Sequence, residues 1–449
     1  MVKLTRSLVG PLVVSGTFLL GLQPAAAEDP PPYEHVGTVT EPNTGLNDGF
    51  GSFDISWVDS QRDVYYLADR AGLVLGTSTF VSGQIDAVDA DDGSFLGYIG
   101  QNQFAGNYNN PGSPFNACAE GPRDPRSGPN GVLTDDRGNV WVGDGNKATA
   151  CPGSTMIAGT STIDEFAALP NGSQMTSIPI GGHAPNALGN RRADELAFGR
   201  HHGRGLILIS NPEEVSPSFP FSSLVDTEQR AIIGTLVFDQ TPPSGAKNTT
   251  LPSPGHGWDS RIGDLPDPTA GGLEQDVWDA DDGVFLLNVP GTLLNPGGEI
   301  DVISPDPLRI IQVIPLSNCG GSGLALSNNK LVVQCGDSLR VLNEKTGDTM
   351  ATFTAGAGAD EIWFNPGDGN VYQGIIGPPV TSTAGIGVLD LRSMQYLGIV
   401  PVASGLGTHS VAADANTNRI FLPMAEGSVA THNAGNGGIG MFHKRDREP

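Results

Sequence analysis

The stretch "GADEIWFNPGDGNVYQG" (358–374) repeats the pattern of "RRADELAFGRHHGRGLILIS" (191–210). Each contains Ala-Asp-Glu, then an aliphatic residue, a spacer and Phe, and turns through polar residues into a second apolar run. Two short apolar runs around a turn cluster are the signal of a β-hairpin. The unit recurs at 53–69, 130–144, 275–289, 322–335 and 409–423, which makes seven copies. A second strand pair follows several of them, as in "GQIDAVDADDGSFLGYIG" (83–100), "SLRVLNEKTGDTMATF" (338–353) and "GIGVLDLRSMQYLGIV" (385–400). The repeating unit is therefore four strands. One four-stranded sheet cannot bury both of its faces, so such units must stack on one another, and radial stacking is a β-propeller. The expectation is an all-β, seven-bladed β-propeller of four-stranded antiparallel blades. Six blades is the alternative, should the third or fourth unit be irregular.

Aligning the hairpins places Ile55, Val132, Leu196, Val277, Leu324, Ile362 and Val411 at one position. The last three spacings are about 40–50 residues, the usual period of such blades. The first three are longer, and polar insertions rich in Gly, Pro and Ser account for them: 101–128, 143–160, 211–228 and 241–271. Long loops on a rigid scaffold often carry function. The seventh unit lacks a final strand after "GIGMFHKRDREP", while "YEHVGTVT" (33–40) resembles the fourth strands of other units. That segment is expected to pair into the last blade and close the ring, removing free sheet edges.

Ahead of it, Lys3 and Arg6, an apolar run from Leu8 to Leu22 and the "AAA" at 25–27 read as a secretory signal peptide over residues 1–27. Residues 28–449 then form a single propeller domain, expected to be secreted or periplasmic and monomeric, with no membrane insertion. Acidic residues outnumber basic ones 49 to 24, for a net charge of −25, so the surface repels nucleic acid and anionic membranes. An oxidising compartment makes disulfides the expected state of the four cysteines. Cys118–Cys151 and Cys319–Cys335 is the preferred pairing, because each pair lies within one repeat.

"THSVAADANTNRIFLP" (408–423) and "VLNEKTGDTMATF" (341–353) resemble the YVTN-type, lactonase-like repeats of secreted bacterial propellers. "GPNGVLTDDRGNVWVGDGN" (128–146) is similar to the NHL and gluconolactonase-like propellers. The resemblance covers nearly the whole chain beyond residue 27, at the level of repeat pattern. It implies relatives that include metal-dependent lactone hydrolases and a streptogramin lyase. It also implies a divalent metal held in the central channel by carboxylate and amide ligands. Asn130 and Asp194 match that ligand pattern loosely. The first-blade glutamate it implies is absent, and Asp54 stands near its place.

In a propeller the first strand of each blade lines the axis, so residues at its start meet at one channel mouth. Side chains alternate along a strand. One choice of face gives a ring of Asn130, Asp194, Gln275, Ser322, Asp360 and His409; the other gives Asp54, Glu195, Asp276, Glu361 and Ser410. Either ring is acidic. Clustered carboxylates bind a hard cation or hold protons with raised pKa values. Ca²⁺ or Mg²⁺ on Asp54, Asp194, Glu195 and Glu361 is the expected form of the first option. His409 is a candidate general base beside Asp360, or a metal ligand. Arg191, Asn130 and Gln275 are candidate ligand contacts, Arg191 and its neighbour Arg192 through an anionic group or through nearby carboxylates.

"GGSG" (320–323) lacks the Gly-Lys-Ser/Thr of a phosphate loop, and neither "DADDG" (89–93, 279–283) continues into an EF-hand. No nucleophile elbow, HExxH or haem-attachment motif occurs. Two readings stand. One is a propeller binding a small organic ligand at an acidic axial mouth, in its catalytic form a metal-dependent hydrolase or lyase. The other is a non-catalytic scaffold for envelope proteins.

Overall fold

The computed structural model describes residues 32–39, 53–70, 83–101, 103–104, 128–145, 161–180, 192–212, 220–238, 258–261, 272–292, 295–354, 356, 358–376, 384–402, 408–424 and 438–445. The segment expected to be a signal peptide (1–27), the expected pair Cys118–Cys151 and the candidate Arg191 lie outside them.

Seven antiparallel sheets form seven blades. Blade one is Phe53–Asp59, Val64–Asp69, Gln84–Asp89 and Phe95–Ile99, hydrogen-bonded in chain order. Blade two runs from Gly128–Thr134 to Gln174–Pro179, blade three from Leu196–His201 to Ala231–Phe238, and blade four from Asp276–Asp279 to Leu308–Pro315. Blade five starts at Gly321–Ser327 and blade six at Ile362–Asn365. Blade seven combines Ala412–Ala413, Ile420–Met424 and Gly438–Lys444 with the N-terminal strand Tyr33–Val39. Seven blades, not six, make the ring, and the third and fourth units are regular members of it.

Two insertions turn out to be partly structural. Phe221–Asp226, within the 211–228 segment, is the third strand of blade three. Trp258–Arg261, within 241–271, is an added fifth strand that pairs in parallel with Ala231–Phe238. Both are short and follow polar stretches, so neither shows a hairpin signal in sequence.

The core is divided among the blades. Seven hydrophobic clusters form, each drawn from two adjacent blades. Second strands are therefore buried on both faces, and they read as continuous apolar runs: Leu206, Ile207, Leu208 and Ile209 are all essentially inaccessible. Every blade carries a register shift between its third and fourth strands, for example at Ala87/Val88, Val302/Ile303 and Val388/Leu389. Such bulges increase local twist and blunt an exposed edge.

Ring closure follows the expected route. Tyr33 pairs with Lys444 and Val39 with Ile439, antiparallel. The Tyr33 ring also reaches blade six, where its hydroxyl accepts from Asn370 Nδ2 at 2.8 Å and lies 3.1 Å from the Tyr372 hydroxyl. Cys319 and Cys335 form a disulfide that staples the first two strands of blade five. No helix among the described residues is long and apolar enough to cross a membrane.

Candidate functional site at the propeller axis

Polar residues meet at one end of the axis, at the starts of the inner strands, in two tiers. In the outer tier Asp54, Asn130, Asp194, Asp360 and His409 gather around two arginines. Arg70 follows the second strand of blade one. Its guanidinium pairs with Asp54, and its Nε donates to Asn130 Oδ1 at 2.8 Å. Arg192 forms ion pairs with Asp194 at 3.0 Å and Asp54 at 3.7 Å. The close approach of blade three depends on glycine: a Cβ on Gly131 would sit 2.0 Å from the Asp194 carbonyl oxygen. Asn130 Nδ2 completes that seam by donating to Ala193 O at 3.0 Å.

The backbone N–H groups of Asp360 and Glu361 both donate to His409 O, at 3.0 and 3.2 Å. That clamp sets His409 Nδ1 3.2 Å from Asp360 Oδ2. The imidazole stacks on Phe53 at 4.9 Å, with the planes 13° apart. Burial opposes the charge on His409, but the Asp360 contact and the nearby Asp54 charge outweigh it and raise its pKa. Burial pushes Asp360 the other way, and the His409 contact prevails and lowers it. Both shifts favour the charged form of each partner. Asp360 keeps 44% of its side-chain surface accessible and His409 22%, so the pair can be reached from the mouth. Burial, with repulsion from Asp54, lifts Asp194 to about 7 against the pull of Arg192. Glu274 is raised well above the carboxylate range by burial and by Asp360 and Asp194.

The inner tier lies one residue further along the strands. Glu195, Asp276 and Glu361 line an axial cavity of about 280 Å³ with the Gln275 side chain. Glu195 and Asp276 are each 3% exposed. Among the described residues Glu195 Oε2 has no hydrogen-bond partner, and neither carboxylate oxygen of Asp276 reaches one in another residue. Burial raises both well above the carboxylate range, and the charges that act most on Glu195 are all carboxylates. Glu361 differs, since Ser410 Oγ donates to its Oε2 and the Ser56 N–H does so at 3.3 Å; burial still pushes it to about 8. Gln275 is committed to structure: its Oε1 accepts from Leu324 N at 2.7 Å and Ile362 N at 3.1 Å, and its Nε2 donates to Ile362 O at 3.2 Å.

Beyond the carboxylates, the aligned aliphatics Ile55, Val132, Leu196, Val277, Leu324 and Ile362 form a belt around the cavity. Below the belt it is walled by Trp57, Phe198, Trp278, Trp363 and Phe364. Trp57 and Trp363 meet edge to face at 5.1 Å, and the Trp57 indole donates to Thr134 Oγ1 at 3.1 Å. Trp363 Nε1 is buried without a partner among the described residues.

Both expected rings are thus represented at the axis, in different tiers. Asn130, Asp194, Asp360 and His409 share the outer tier with Asp54, while Glu195, Asp276 and Glu361 share the inner one with Gln275. Sequence reasoning missed Arg70, Glu274 and the aromatic wall. Arg70 had a signal, as a rare cation closing the apolar run "VYYLAD". Many other acidic residues serve turns. Asp59, Asp89, Asp135, Asp226 and Asp279 each accept from a backbone N–H two residues on, so the two "DADDG" stretches are Asx turns.

For a divalent cation, Asp54, Asp360 and His409 offer donor atoms within 4.8 Å of one another. Arg70 already pairs with Asp54 there, and the Asp360 contact favours the protonated ring of His409, whereas a metal needs it neutral. That donor set therefore fits Ca²⁺ or Mg²⁺ poorly. The other such group among the described residues, Asp279, Asp282 and Glu344, is bridged by the Lys345 ammonium.

The fold and site define a closed seven-bladed propeller with a polar axial mouth above an aromatic-walled cavity. No protein-family description matches the chain, and no curated protein does. A chain in the crystal structure of the mitotic checkpoint complex superposes with a TM-score of 0.52 at 13% identity, covering 98% of this chain and 99% of that one. Some 929 solved chains match significantly, so the likeness describes a widespread fold and carries no activity with it.

Proposed function

We propose that this propeller binds a small organic molecule in its axial channel. The observation that carries the reading is a pair of buried carboxylates, Glu195 and Asp276, facing an axial cavity with unmet hydrogen-bonding capacity. Leaving such groups without partners is expensive in an interior, and a ligand is one way to satisfy them. Export to the periplasm or the medium belongs to the same reading, on the strength of residues 1–27.

If the protein turns a ligand over, His409 is the residue to move a proton. With its protonated form favoured by Asp360 and its ring open to the mouth, it is set as a general acid toward a leaving group, with Asp360 restoring the charge balance. Arg70 and Arg192 are paired with Asp54, Asn130 and Asp194, so they orient the mouth. A metal-dependent hydrolase or lyase is the second reading, favoured only by the convergence of Asp54, Asp360 and His409. That chemistry would use the ion to polarise a carbonyl.

The test is thermal stability screened against lactones, esters, amines and sugars, with metal analysis after dialysis. Ligand-induced stabilisation that disappears when Leu196 is changed to Trp, blocking the cavity, supports the channel. A stoichiometric divalent ion lost on chelation, together with ester or lactone hydrolysis, would select the metal reading. No stabilisation by any class, with a stable envelope-protein partner recovered instead, would favour a scaffold.

A further inference from the structure

The channel is divided chemically along its length. Three carboxylates stand at one level, the aliphatic belt one residue further on, and indole and phenyl rings one or two residues beyond that. At about 3.3 Å per strand residue, the carboxylate of Glu195 and the ring of Phe198 are separated by roughly 10 Å of wall. The two guanidinium groups do not relieve the inner carboxylates, because Arg70 and Arg192 are engaged by Asp54, Asn130 and Asp194. Glu195, Asp276 and Glu361 do not form a group of donors within 4.8 Å, as the two candidate metal groups among the described residues do. An ion the size of Mg²⁺, at about 2.0–2.1 Å, spans donors no more than about 4.2 Å apart and so does not touch all three. An ammonium, with N···O of about 2.7–3.2 Å, has a longer reach.

We infer that the channel takes an organic cation, an aryl-alkyl amine, with its ammonium among Glu195, Asp276 and Glu361 and its apolar body running past the aliphatic belt to Trp57, Trp278 and Trp363. The inference deepens the reading of the axis as a ligand site and rests on it. Three features match this ligand class. The ammonium supplies donors to Glu195 and Asp276 oxygens that have none in other described residues, in a wall whose titratable groups are all acidic. The belt and the rings replace water around the hydrocarbon. Indole faces attract cations and aromatic edges alike. The cation also displaces protons, since carboxylates that hold them when the channel is empty ionise beside an ammonium.

The experiment uses the full chain and 2-phenylethylamine as probe, with 2-phenylethanol as its neutral counterpart and calcium chloride as the metal control. Binding is read by tryptophan fluorescence, and by calorimetry in two buffers of different ionisation enthalpy. The amine is expected to bind at least about tenfold more tightly than the alcohol near neutral pH, with net proton release. Glu195→Gln with Asp276→Asn should remove that preference and the proton release. Both replacements relieve repulsion, so the variant is expected to fold, and its Tm verifies this. Equal affinity for amine and alcohol, or an amine affinity unchanged in the double variant, overturns the cation and leaves the channel as a ligand site. Calcium binding that the double variant abolishes, without amine binding, overturns it in favour of a metal. If none of the three probes perturbs the tryptophans, both the inference and the underlying reading fall.

Discussion

Charge at the axis is arranged in opposite ways over a few ångströms. Asp54 is held closely by Arg70 and more distantly by Arg192, at 3.7 Å, so removing the Arg70 guanidinium leaves a buried carboxylate with only the weaker of its two partners. Arg70→Met should destabilise the protein by about 3–5 kcal/mol, measured by urea unfolding. A loss under about 1 kcal/mol would show that Arg192 alone compensates Asp54. Glu361 behaves in the reverse sense. Its folded pKa of about 8 lies above the unfolded value of about 4.3. The folded state thus binds a proton that the unfolded state has released, and stability declines as pH rises between those two values. Glu361→Gln removes this contribution. Its Tm should exceed that of the parent near pH 8 and approach it near pH 4, and a constant Tm difference across that range would contradict the assignment. His409 contributes differently: raised by Asp360, its stabilisation is complete below about 6.5 and fades as pH climbs through its folded pKa.

The elements were largely legible in the sequence, because each hairpin is a local signal of alternating residues around an Asp or Asn turn. All seven inner hairpins fall where the repeat places them. Which residues face the axis was harder to read, for a physical reason. The inner strands begin irregularly, with register shifts at Phe53/Ser56, Pro129/Val132 and Gly321/Leu324. In blades three and six, regular pairing starts only at Leu196 and Ile362, after the acidic residues. Strict two-residue alternation fails at the site itself, so members of both candidate rings meet near the axis in mixed tiers. Arg70 was missed because it joins the site from the end of a second strand, which the inner-strand argument does not cover. At this scale the disulfide offers a clean test. It closes a loop with a sequence separation of 16, and a loop of that length contributes about 3 kcal/mol through the unfolded chain. Cys319→Ser with Cys335→Ser should lower stability by that order while leaving axial ligand binding in place, since neither cysteine lines the cavity. Loss of binding along with stability would mean that blade five positions the site.

At the scale of the whole molecule, the site exists only because the ring is shut. His409 follows blade six and precedes the innermost strand of blade seven, and its carbonyl receives N–H groups from the start of blade six. It is held there by packing on both sides. Blade seven in turn owes its outer strand to Tyr33–Val39, and the seam to blade six owes part of its core to the Tyr33 ring. Deleting residues 33–39 would expose the edge of Gly438–Lys444 and remove the hydroxyl that meets Tyr372 and Asn370. An unpaired edge is a template for association. The deletion variant should therefore form higher oligomers by size-exclusion chromatography and lose any ligand-induced stabilisation at the axis, while inner blades such as three and four keep strand content by circular dichroism. Tyr33→Phe is the finer probe, since it removes one hydroxyl from a buried network and keeps the strand. It should cost about 1–2 kcal/mol without oligomerisation. A deletion variant that stays monomeric and binds ligand as the parent does would show that blade seven closes the ring with three strands, and that the N-terminal segment covers an edge without locking the circle.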